Sequence, residues 1–310
     1  MKGQDGQGSG QSVALRIEVA GRTIGHVRRH LAVVPHNLDA ALTGGGDALP
    51  PAGRDGWLLR SLPTPRLPGL RAQWDSWLVA VRQQYPRHYI AMQPGSFDDW
   101  WQGFSSKTRS TLARKARRLA DRFDGGFTVR SYRIPADVAQ FMAIAGDLSR
   151  RTYQARLMQA GLPVGEADIA QAVAAAAADN IRAFLLFGGE RPIAYLYLPV
   201  EQDVLVYAYL GYDPDFADLS PGTVLHVEAM RALYQENRFR AFDFTEGDGA
   251  HKVQFGRATI DCADVLVLRP TLRNRAALAM MQGVDGLAMR GKALLDRMGL
   301  RARVKALIRR

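Results

Sequence analysis

The chain has 310 residues, of which 47% are hydrophobic and 23% charged, and its formal net charge is +11. This length and composition predict a globular protein, with one elaborated domain or two smaller ones. The single cysteine, Cys262, excludes an intramolecular disulfide framework and predicts a cytoplasmic protein, and six scattered histidines predict no metal site. Residues 1–11 predict a disordered tail and no signal peptide, and no apolar run reaches the about 20 residues of a membrane-spanning helix.

Residues 12–104 predict an α/β half of the chain. The alternating segment VALRIEV is typical of a strand, and a Gly- and Pro-rich stretch follows it. From Leu70 to Gln84 apolar side chains recur at helical spacing, which predicts an amphipathic helix, and the next segment, HYIAM, predicts a strand. No residue of this half indicates chemistry.

Residues 105–125 predict a basic linking helix. From Ser105 to Arg122 there are seven Lys or Arg residues against one acidic residue, Asp121. Ser105 or Ser106 is a candidate N-cap, and apolar residues line one face of the predicted helix. Two interpretations stay open, since such a helix either faces a polyanionic partner or is simply solvated.

Residues 126–268 predict a second and larger α/β region. FTVRSYRI predicts a strand, and a helix started by Pro135 and a second helix, EADIAQAVAAAAADN, follow it. Three short segments rich in β-branched and aromatic residues then predict an antiparallel meander: IRAFLLF, IAYLYLPV and VLVYAYLGY. A helix (TVLHVEAMRALYQEN), a strand (AFDFTE), a short helical piece and a last strand pair (RATIDC and DVLVLR) complete the order. We expect an α/β (α+β) fold with a mixed, mostly antiparallel sheet.

The segment LSPGTVLHVEAM predicts an anion site at the start of a helix. A Ser-Pro-Gly turn directly before a helix leaves free backbone N–H groups at the positive end of the helix dipole. Phosphate binds at such places, and here the candidate residues are Ser220, Pro221, Gly222 and Thr223. The alternative is that Ser220 only caps the helix and Pro221 only starts it.

Five polar residues near the end of the strand AFDFTE are candidates for acid–base chemistry: Asp243, Glu246, Asp248, His251 and Lys252. Open α/β sheets place ligands at the carboxyl ends of their strands. Because Asp243 lies between two phenylalanines of a strand, its carboxylate is expected either in a cleft or in an ion pair. Alternatively, Glu246 and Asp248 are ordinary loop carboxylates and Lys252 is a solvated charge.

This pattern resembles the GNAT superfamily, and specifically the acetyltransferases associated with cellulose and exopolysaccharide biosynthesis, relatives of the Fem-type aminoacyltransferases. The resemblance rests on the basic helix KTRSTLARKARRL, the hairpin GERPIAYLYL, the segment GYDPDFADLSPGTVLHVEAM and the block FDFTEGDGAHK. These segments cover about residues 104–256. Residues 12–104 are similar in general character to a degenerate GNAT-like half, and residues 126–268 to the acyltransferase domain itself.

The resemblance implies direct transfer of an acyl group from acetyl-CoA or another acyl-CoA, with no covalent enzyme intermediate and no metal. It places the pantetheine arm in a gap between the strand 204–212 and the strand 241–245. The expected coenzyme contacts are Tyr209, Leu210 and Gly211 for the amides and Ser220, Pro221, Gly222 and Thr223 for the pyrophosphate.

Catalysis is expected from a proton acceptor and a proton donor near the thioester. The candidates are Asp243, Glu246, His251, Lys252 and Tyr212, with Tyr209 as a further proton donor. The family usually has tyrosine where this chain has His251, and although a histidine can also carry a proton, a lone histidine is more often structural than catalytic. Contacts to the acceptor are expected from Arg109, Arg114 and Asp248.

Three functions remain open at this point. The first is acyl transfer to the amine or hydroxyl of an amino sugar, polysaccharide or cell-envelope precursor. The second is Fem-like aminoacyl transfer from a charged tRNA. The third is a non-catalytic GNAT-like module that binds nucleic acid, against which stands the lack of any recognised nucleic-acid motif.

The last segment, residues 269–310, is a second basic region, with eleven Lys or Arg residues against Asp285 and Asp296. Leucine, valine and isoleucine recur between the charges at helical spacing, as in an interfacial helix on anionic lipid. One hypothesis is therefore peripheral attachment to the inner face of the membrane. The alternative is that the apolar stripe packs back on the first half of the protein.

Overall fold

The computed structural model describes residues 11–19, 22–44, 49–124, 126–151 and 161–283. The chain divides into two compact units: residues 1–85 with residues 261–310, and residues 86–260. The sequence-based boundaries lay instead at 104 and 268. The predicted N-terminal tail and most of the basic C-terminal segment lie outside the described residues, and the predicted functional division of the chain stays a prediction.

The first unit is built on a five-stranded mixed sheet, in which the start of strand β4 (Leu78–Ala91) is the fifth strand. Strand β1 (Gln11–Val19) is antiparallel to β2 (Arg22–Pro35), β2 is parallel to β3 (Gly56–Pro63), and β3 is antiparallel to β11 (Ala258–Leu268). Helix α1 (Leu38–Thr43) follows β2, a 3₁₀ turn (Thr64–Arg66) and helix α2 (Leu67–Gln73) follow β3, and residues 272–283 are helical.

The predicted helix from Leu70 to Gln84 was wrong. Helix α2 ends at Gln73, and strand β4 (Leu78–Ala91) starts five residues later. Trp74 and Trp77 both pack on Trp57, with ring centroids 4.8 Å away in each case. Their spacing of three residues therefore reflects a turn between α2 and β4 whose two tryptophans contact the same ring.

The start of β4 has apolar side chains on both faces. Leu78 and Ala80 pack into one apolar cluster of the first unit, and Val79 and Val81 pack into another. A strand buried on both faces has no alternation of apolar and polar residues, so its sequence cannot be distinguished by periodicity from a helix.

The predicted final strand pair was also wrong, because β11 is one continuous strand. The acidic residues of the segment DCAD indicated a turn. Instead Asp264 is buried within the strand, where its carboxylate accepts hydrogen bonds from the Ser61 N–H at 3.0 Å and the Tyr85 hydroxyl at 2.9 Å. A carboxylate with such partners is tolerated in a buried strand.

The second unit carries the rest of the strands and most of the helices. In chain order it contains the end of β4, α3 (Phe97–Gln102), α4 (Ser106–Ala120), β5 (Phe127–Tyr132), α5 (Pro135–Arg151), α6 (Glu166–Ala177), β6 (Ile181–Gly188), β7 (Arg191–Glu201), β8 (Val204–Val206), β9 (Tyr209–Tyr212), a 3₁₀ helix (Pro214–Leu219), α7 (Pro221–Glu236), β10 (Ala241–Asp243) and α8 (Ala250–Phe255). From β5 to α8 the elements follow the predicted order, except that the predicted strand 204–212 is two strands.

The strands of the second unit are hydrogen-bonded in the order β4, β10, β8, β7, β6, β5. All neighbours are antiparallel except β8 and β10, which are parallel. The expected mixed, mostly antiparallel sheet is therefore confirmed. Helix α7 supplies six buried side chains to the main apolar core of this unit: Val224, Leu225, Val227, Ala229, Met230 and Leu233.

The segment 204–212, predicted as one strand, is two strands, β8 and β9, that pair with different neighbours. Strand β8 pairs with β10 from Ala241↔Val204 to Asp243↔Val206, whereas β9 pairs with β7. The Tyr207 N–H donates to the Asp243 carbonyl at 2.8 Å and makes the last bond on that side. The expected gap between the two strands is therefore present, and it opens after Tyr207.

Candidate active site

Helix α7 begins without a side-chain cap. Ser220 has a left-handed backbone (φ 54°), and its side chain makes no capping hydrogen bond. Its carbonyl accepts from the N–H groups of Thr223 at 3.0 Å and Val224 at 3.3 Å. The alternative in which the Ser220 side chain caps the helix was therefore wrong, and the first turn retains its positive dipole end.

A cleft of about 580 Å³ opens where β9 leaves β10, beside this helix start. It is lined by Tyr207, Leu210, Gly211, Tyr212, Pro214, Ala217, Ser220, Gly222, Thr223 and His251. Seven of the residues singled out from the sequence are among them, including five of the expected coenzyme contacts. Tyr209 and Pro221 are adjacent in the chain but do not line the cleft.

Two glycines allow the close packing around the cleft. A Cβ atom on Gly211 would lie 2.6 Å from the Cζ atom of Tyr195, and one on Gly222 would lie 2.8 Å from Cδ2 of Leu210. The Tyr195 ring is fully buried, and its hydroxyl donates to the Ser149 hydroxyl at 3.0 Å, so it cannot easily move. Glycine at these positions therefore fixes the distance between β7, β9 and α7.

Strand β9 offers backbone groups to a ligand. Among the described strands its only partner is β7, so its other edge carries no ladder of hydrogen bonds. Such an edge can bind an extended chain that contains amides, because the unpaired N–H and C=O groups recur along it. A pantetheine arm has this character.

His251 is the one predicted acid–base residue of the block 243–252 that lines the cleft. Burial, with smaller contributions from the cations Lys115 and Lys252, lowers the pKa of His251 to about 4. The imidazole is therefore neutral at pH 7 and can accept a proton. Its Nε2 atom is buried and has no hydrogen-bond partner among the described residues.

The sequence analysis missed His226, which lies beside His251. The two ring centroids are 4.9 Å apart with an interplanar angle of 77°. His226 is fully buried on α7, burial and the neighbouring His251 hold its pKa well below the usual value, and neither ring nitrogen has a partner among the described residues. No sequence signal distinguished it, since it stands between two apolar residues of a core-facing helix.

Aromatic side chains enclose the two imidazoles. Tyr207 stacks on His251 with centroids 5.5 Å apart, and Phe255 lies 4.7 Å from His251 and 4.5 Å from His226. Burial raises the pKa of Tyr207, so its phenol stays protonated. Tyr207 replaces Tyr209 as the second tyrosine of the cleft, beside the more exposed Tyr212.

Asp243 lies on the other face of β10 and does not line the cleft. Arg87 donates to both of its carboxylate oxygens, from Nε at 3.0 Å and from Nη2 at 2.6 Å, and the Thr245 N–H donates at 2.8 Å. Both partners of the ion pair are buried. Of the two expected environments for Asp243, the structure therefore shows the ion pair.

The other charged residues of the block lie outside the cleft as well. Lys252 donates to the Thr245 hydroxyl at 3.3 Å and to the Glu246 carbonyl, and burial lowers the pKa of its amine. The exposed carboxylate of Asp248 lies 3.3 Å from Nε2 of His88.

The basic helix α4 begins as predicted, because the Ser105 side chain accepts from the Thr108 N–H at 3.2 Å. Arg109 is turned toward the preceding loop, where it donates to the carbonyls of Gln102 at 3.0 Å and Phe104 at 2.6 Å. Arg114 is exposed. Neither arginine lines the cleft.

No group of three or more His, Cys, Asp or Glu residues in the described ranges is arranged to hold a metal ion. None of the helices in the described part of the chain has the length and apolar character that a bilayer crossing requires.

Residues 106–253 match the family model described as an acetyltransferase (GNAT) domain. The match begins at helix α4 and ends in α8, so it contains the cleft, the start of α7 and both histidines. No curated protein sequence matches the chain.

Solved structures show the same fold at low identity. The C-terminal domain of a putative lysylphosphatidylglycerol synthetase from Agrobacterium fabrum has a TM-score of 0.50 and 14% identity, over 73% of this chain and 71% of that chain. FemX has a TM-score of 0.50 and 11% identity, over 88% of this chain and 91% of that chain. The similarity to FemX thus extends beyond the matched domain.

Proposed function

We propose that this chain, an acyltransferase by its GNAT acetyltransferase domain, transfers an acyl group directly from acyl-CoA to an amine or hydroxyl. The acceptor we propose is an amino sugar, a polysaccharide or another cell-envelope precursor. The observation that carries the proposal is the cleft between the diverging strands β9 and β10, which ends at the uncapped start of α7.

The cleft matches the three chemical parts of an acyl-CoA. The first turn of α7, from Ser220 to Thr223, presents a positive dipole end to the pyrophosphate. The free edge of β9 faces the pantetheine amides, and the aromatic lining suits the methylene and acyl groups. The thioester then lies toward His251, the cleft residue whose protonation can change during the reaction.

His251 supplies the acid–base chemistry of the proposed reaction. As a neutral imidazole it takes the proton from the attacking amine or hydroxyl while the new bond to the acyl carbon forms. The resulting imidazolium is acidic and gives that proton to the departing coenzyme thiolate. One residue thus carries the proton from the nitrogen or oxygen of the acceptor to the sulfur of the coenzyme. We assign Tyr207 and Tyr212 to the cleft wall, with their phenols directed at the reacting groups.

The remaining predicted catalytic residues are assigned a supporting role. Asp243 and Lys252 connect β10, the loop after it and α8 through Arg87, Thr245 and the Glu246 carbonyl. They thereby hold the segment that presents His251. This replaces the hypothesis that Asp243, Glu246 and Lys252 act on the substrate.

Thermal unfolding in the presence of acetyl-CoA, propionyl-CoA and free CoA tests the proposal. A ligand at 100 times its dissociation constant stabilises the folded state by about 2.7 kcal/mol, which raises the melting temperature measurably. Stabilisation by none of the three would contradict the proposal. Stabilisation by a charged tRNA alone would instead indicate Fem-like aminoacyl transfer.

Gly222→Asp is the variant that addresses the proposed site. A carboxylate at the helix start repels the pyrophosphate and its Cβ enters the space beside Leu210, so we expect acyl-CoA binding to be lost. The matched control is Gly69→Asp on helix α2, where an added Cβ meets no atom within 4 Å. If Gly222→Asp bound acyl-CoA with unchanged affinity, the proposal that the pyrophosphate binds at the start of α7 would be contradicted.

We further propose peripheral attachment to anionic membrane through residues 284–310, which lie outside the described residues. The first part of the basic segment does not share this role, since Leu278 and Met281 pack with Leu58 and Leu266 in a core cluster of the first unit. Flotation with anionic and neutral vesicles, for the full chain and for a chain that ends at residue 283, tests it. Binding to anionic vesicles that survives truncation would contradict it.

A further inference from the structure

His226 is a polar side chain where the fold has no structural use for one. It lies in the middle of α7, is fully buried, and has no hydrogen-bond partner for either ring nitrogen among the described residues. Aromatic rings surround it, with centroids 4.5 Å away at Phe255, 5.3 Å at Phe242 and 5.6 Å at Phe244.

Burying a polar group without a hydrogen bond costs folding free energy, whereas a phenylalanine would fill nearly the same space without that cost. Buried polar side chains normally have a partner, so the exceptions call for an explanation. Among the described polar rings that contact His226, His251 is the nearest, at 4.9 Å between centroids against 6.2 Å for Tyr207 and 6.3 Å for Trp100, and its Nε2 is also buried and without a described partner.

We propose that His226 is a positioning residue for His251: the two rings make no direct hydrogen bond, and one water molecule accepts from Nε2–H of His251 and donates to a ring nitrogen of His226. The partner of one ring nitrogen determines which tautomer a histidine adopts. With the proton held on Nε2, the Nδ1 atom of His251 is the one left to accept a proton in the cleft. The proposal rests on the proposed function of the cleft and specifies which atom acts in it.

The same hydrogen bond stabilises the charged form of His251. Burial opposes a positive charge on this ring most strongly, and the cations Lys115 of α4 and Lys252 of α8 oppose it as well. The groups that favour the charge are the ring faces of Tyr207 and Phe255 and the acceptor nitrogen of His226. His226 therefore increases the proton affinity of His251, which a general base needs near neutral pH.

Nitrogen-15 NMR of histidine-labelled protein measures both consequences without any acceptor substrate. We expect His251 of the unaltered protein in a single tautomer with the proton on Nε2. His226→Phe should give a mixture of tautomers and a His251 pKa lowered by at least about half a unit, which is a loss of about threefold in proton affinity. His226→Gln, which restores an acceptor oxygen, should recover most of both.

The matched control is Met230→Leu, one turn further along α7 and equally buried, which should change neither the tautomer nor the pKa of His251. A tautomer mixture in the unaltered protein, or a His226→Phe variant with unchanged tautomer and pKa, overturns the proposal. If none of acetyl-CoA, propionyl-CoA and free CoA stabilises the protein, the proposed function fails, while the NMR result still decides whether the two histidines are coupled.

Discussion

The two faces of strand β10 differ in how their buried polar groups are paired. On one face Asp243 is buried with Arg87, and every oxygen of its carboxylate accepts a hydrogen bond. On the other face two buried imidazoles lie among aromatic rings without described partners. Fully paired charges hold a structure and are poorly suited to react, whereas an unpaired imidazole beside a cleft can exchange a proton. The charged face therefore supports the site and the aromatic face acts in it.

Arg87→Met is expected to have the largest effect, because it leaves the Asp243 carboxylate buried without its cation. Breaking a buried ion pair from one side costs about 3–5 kcal/mol of unfolding free energy, measurable by urea denaturation. The double variant Arg87→Met with Asp243→Leu should recover much of the loss. A single variant as stable as the unaltered protein would show that the charged face does not support the fold.

Acid should weaken the aromatic face before the carboxylates are affected. The folded-state pKa of His251 is about 4 against 6.5 in the unfolded chain, and that of His226 is also lowered, so below pH 6.5 the unfolded state binds protons that the folded state does not. The contribution of the neutral histidines to the free energy of unfolding is fully present above pH 6.5. It falls toward pH 4 by about 1.4 kcal/mol per pH unit for each histidine.

Urea denaturation between pH 7.5 and pH 4 measures this slope. Replacing both His226 and His251 by phenylalanine should flatten it. A carboxyl group with a lowered pKa, such as Asp179, whose pKa the hydrogen bonds from Arg133 lower to about 2, loses its contribution as the pH falls through the unfolded value of 3.8, so it adds little to the slope above about pH 5. A slope that persists in the double variant would place the titrating groups elsewhere.

The two glycines of the cleft should differ in what their replacement costs. Gly211→Ala drives a Cβ into the anchored ring of Tyr195, and overpacking of this kind costs about 1–3 kcal/mol of unfolding free energy. The new Cβ in Gly222→Ala would lie within 3.0 Å only of the end of the Leu210 side chain, which can rotate away, and at an ordinary contact distance of 3.4 Å from Tyr212, so its effect on stability should be smaller. Differential scanning calorimetry compares them, and equal losses would contradict the assigned packing.

Asp248→Asn should have the smallest effect. Its carboxylate is 64% exposed and lies 3.3 Å from His88, and exposed pairs contribute about 0–1 kcal/mol. We expect unfolding free energy within about 0.5 kcal/mol of the unaltered protein and the same affinity for acetyl-CoA. A larger loss of unfolding free energy would show that the exposed Asp248 also supports the fold.

Local signals were sufficient for much of the second unit. Its strands are short and rich in β-branched and aromatic residues, its helices have apolar faces, and the Ser-Pro-Gly turn before α7 is a local feature, so each could be predicted from neighbouring residues. Ser220, Gly222, Thr223 and His251 line the cleft and were singled out from such local signals, whereas Leu210, Gly211 and Tyr212 came from the family resemblance. The segment from Leu70 to Gln84 failed because a strand buried on both faces has no periodicity to read.

Partners distant in the chain were decided only by the tertiary structure. The sequence limited Asp243 to a cleft or an ion pair, but Arg87, which chooses between them, is 156 positions away. His226 is indistinguishable in the sequence from a core residue of α7, and only the packing of α8 against that helix places it beside His251. Short-range periodicity determines which face of an element is buried, whereas the pairing of a buried polar group depends on which elements meet there.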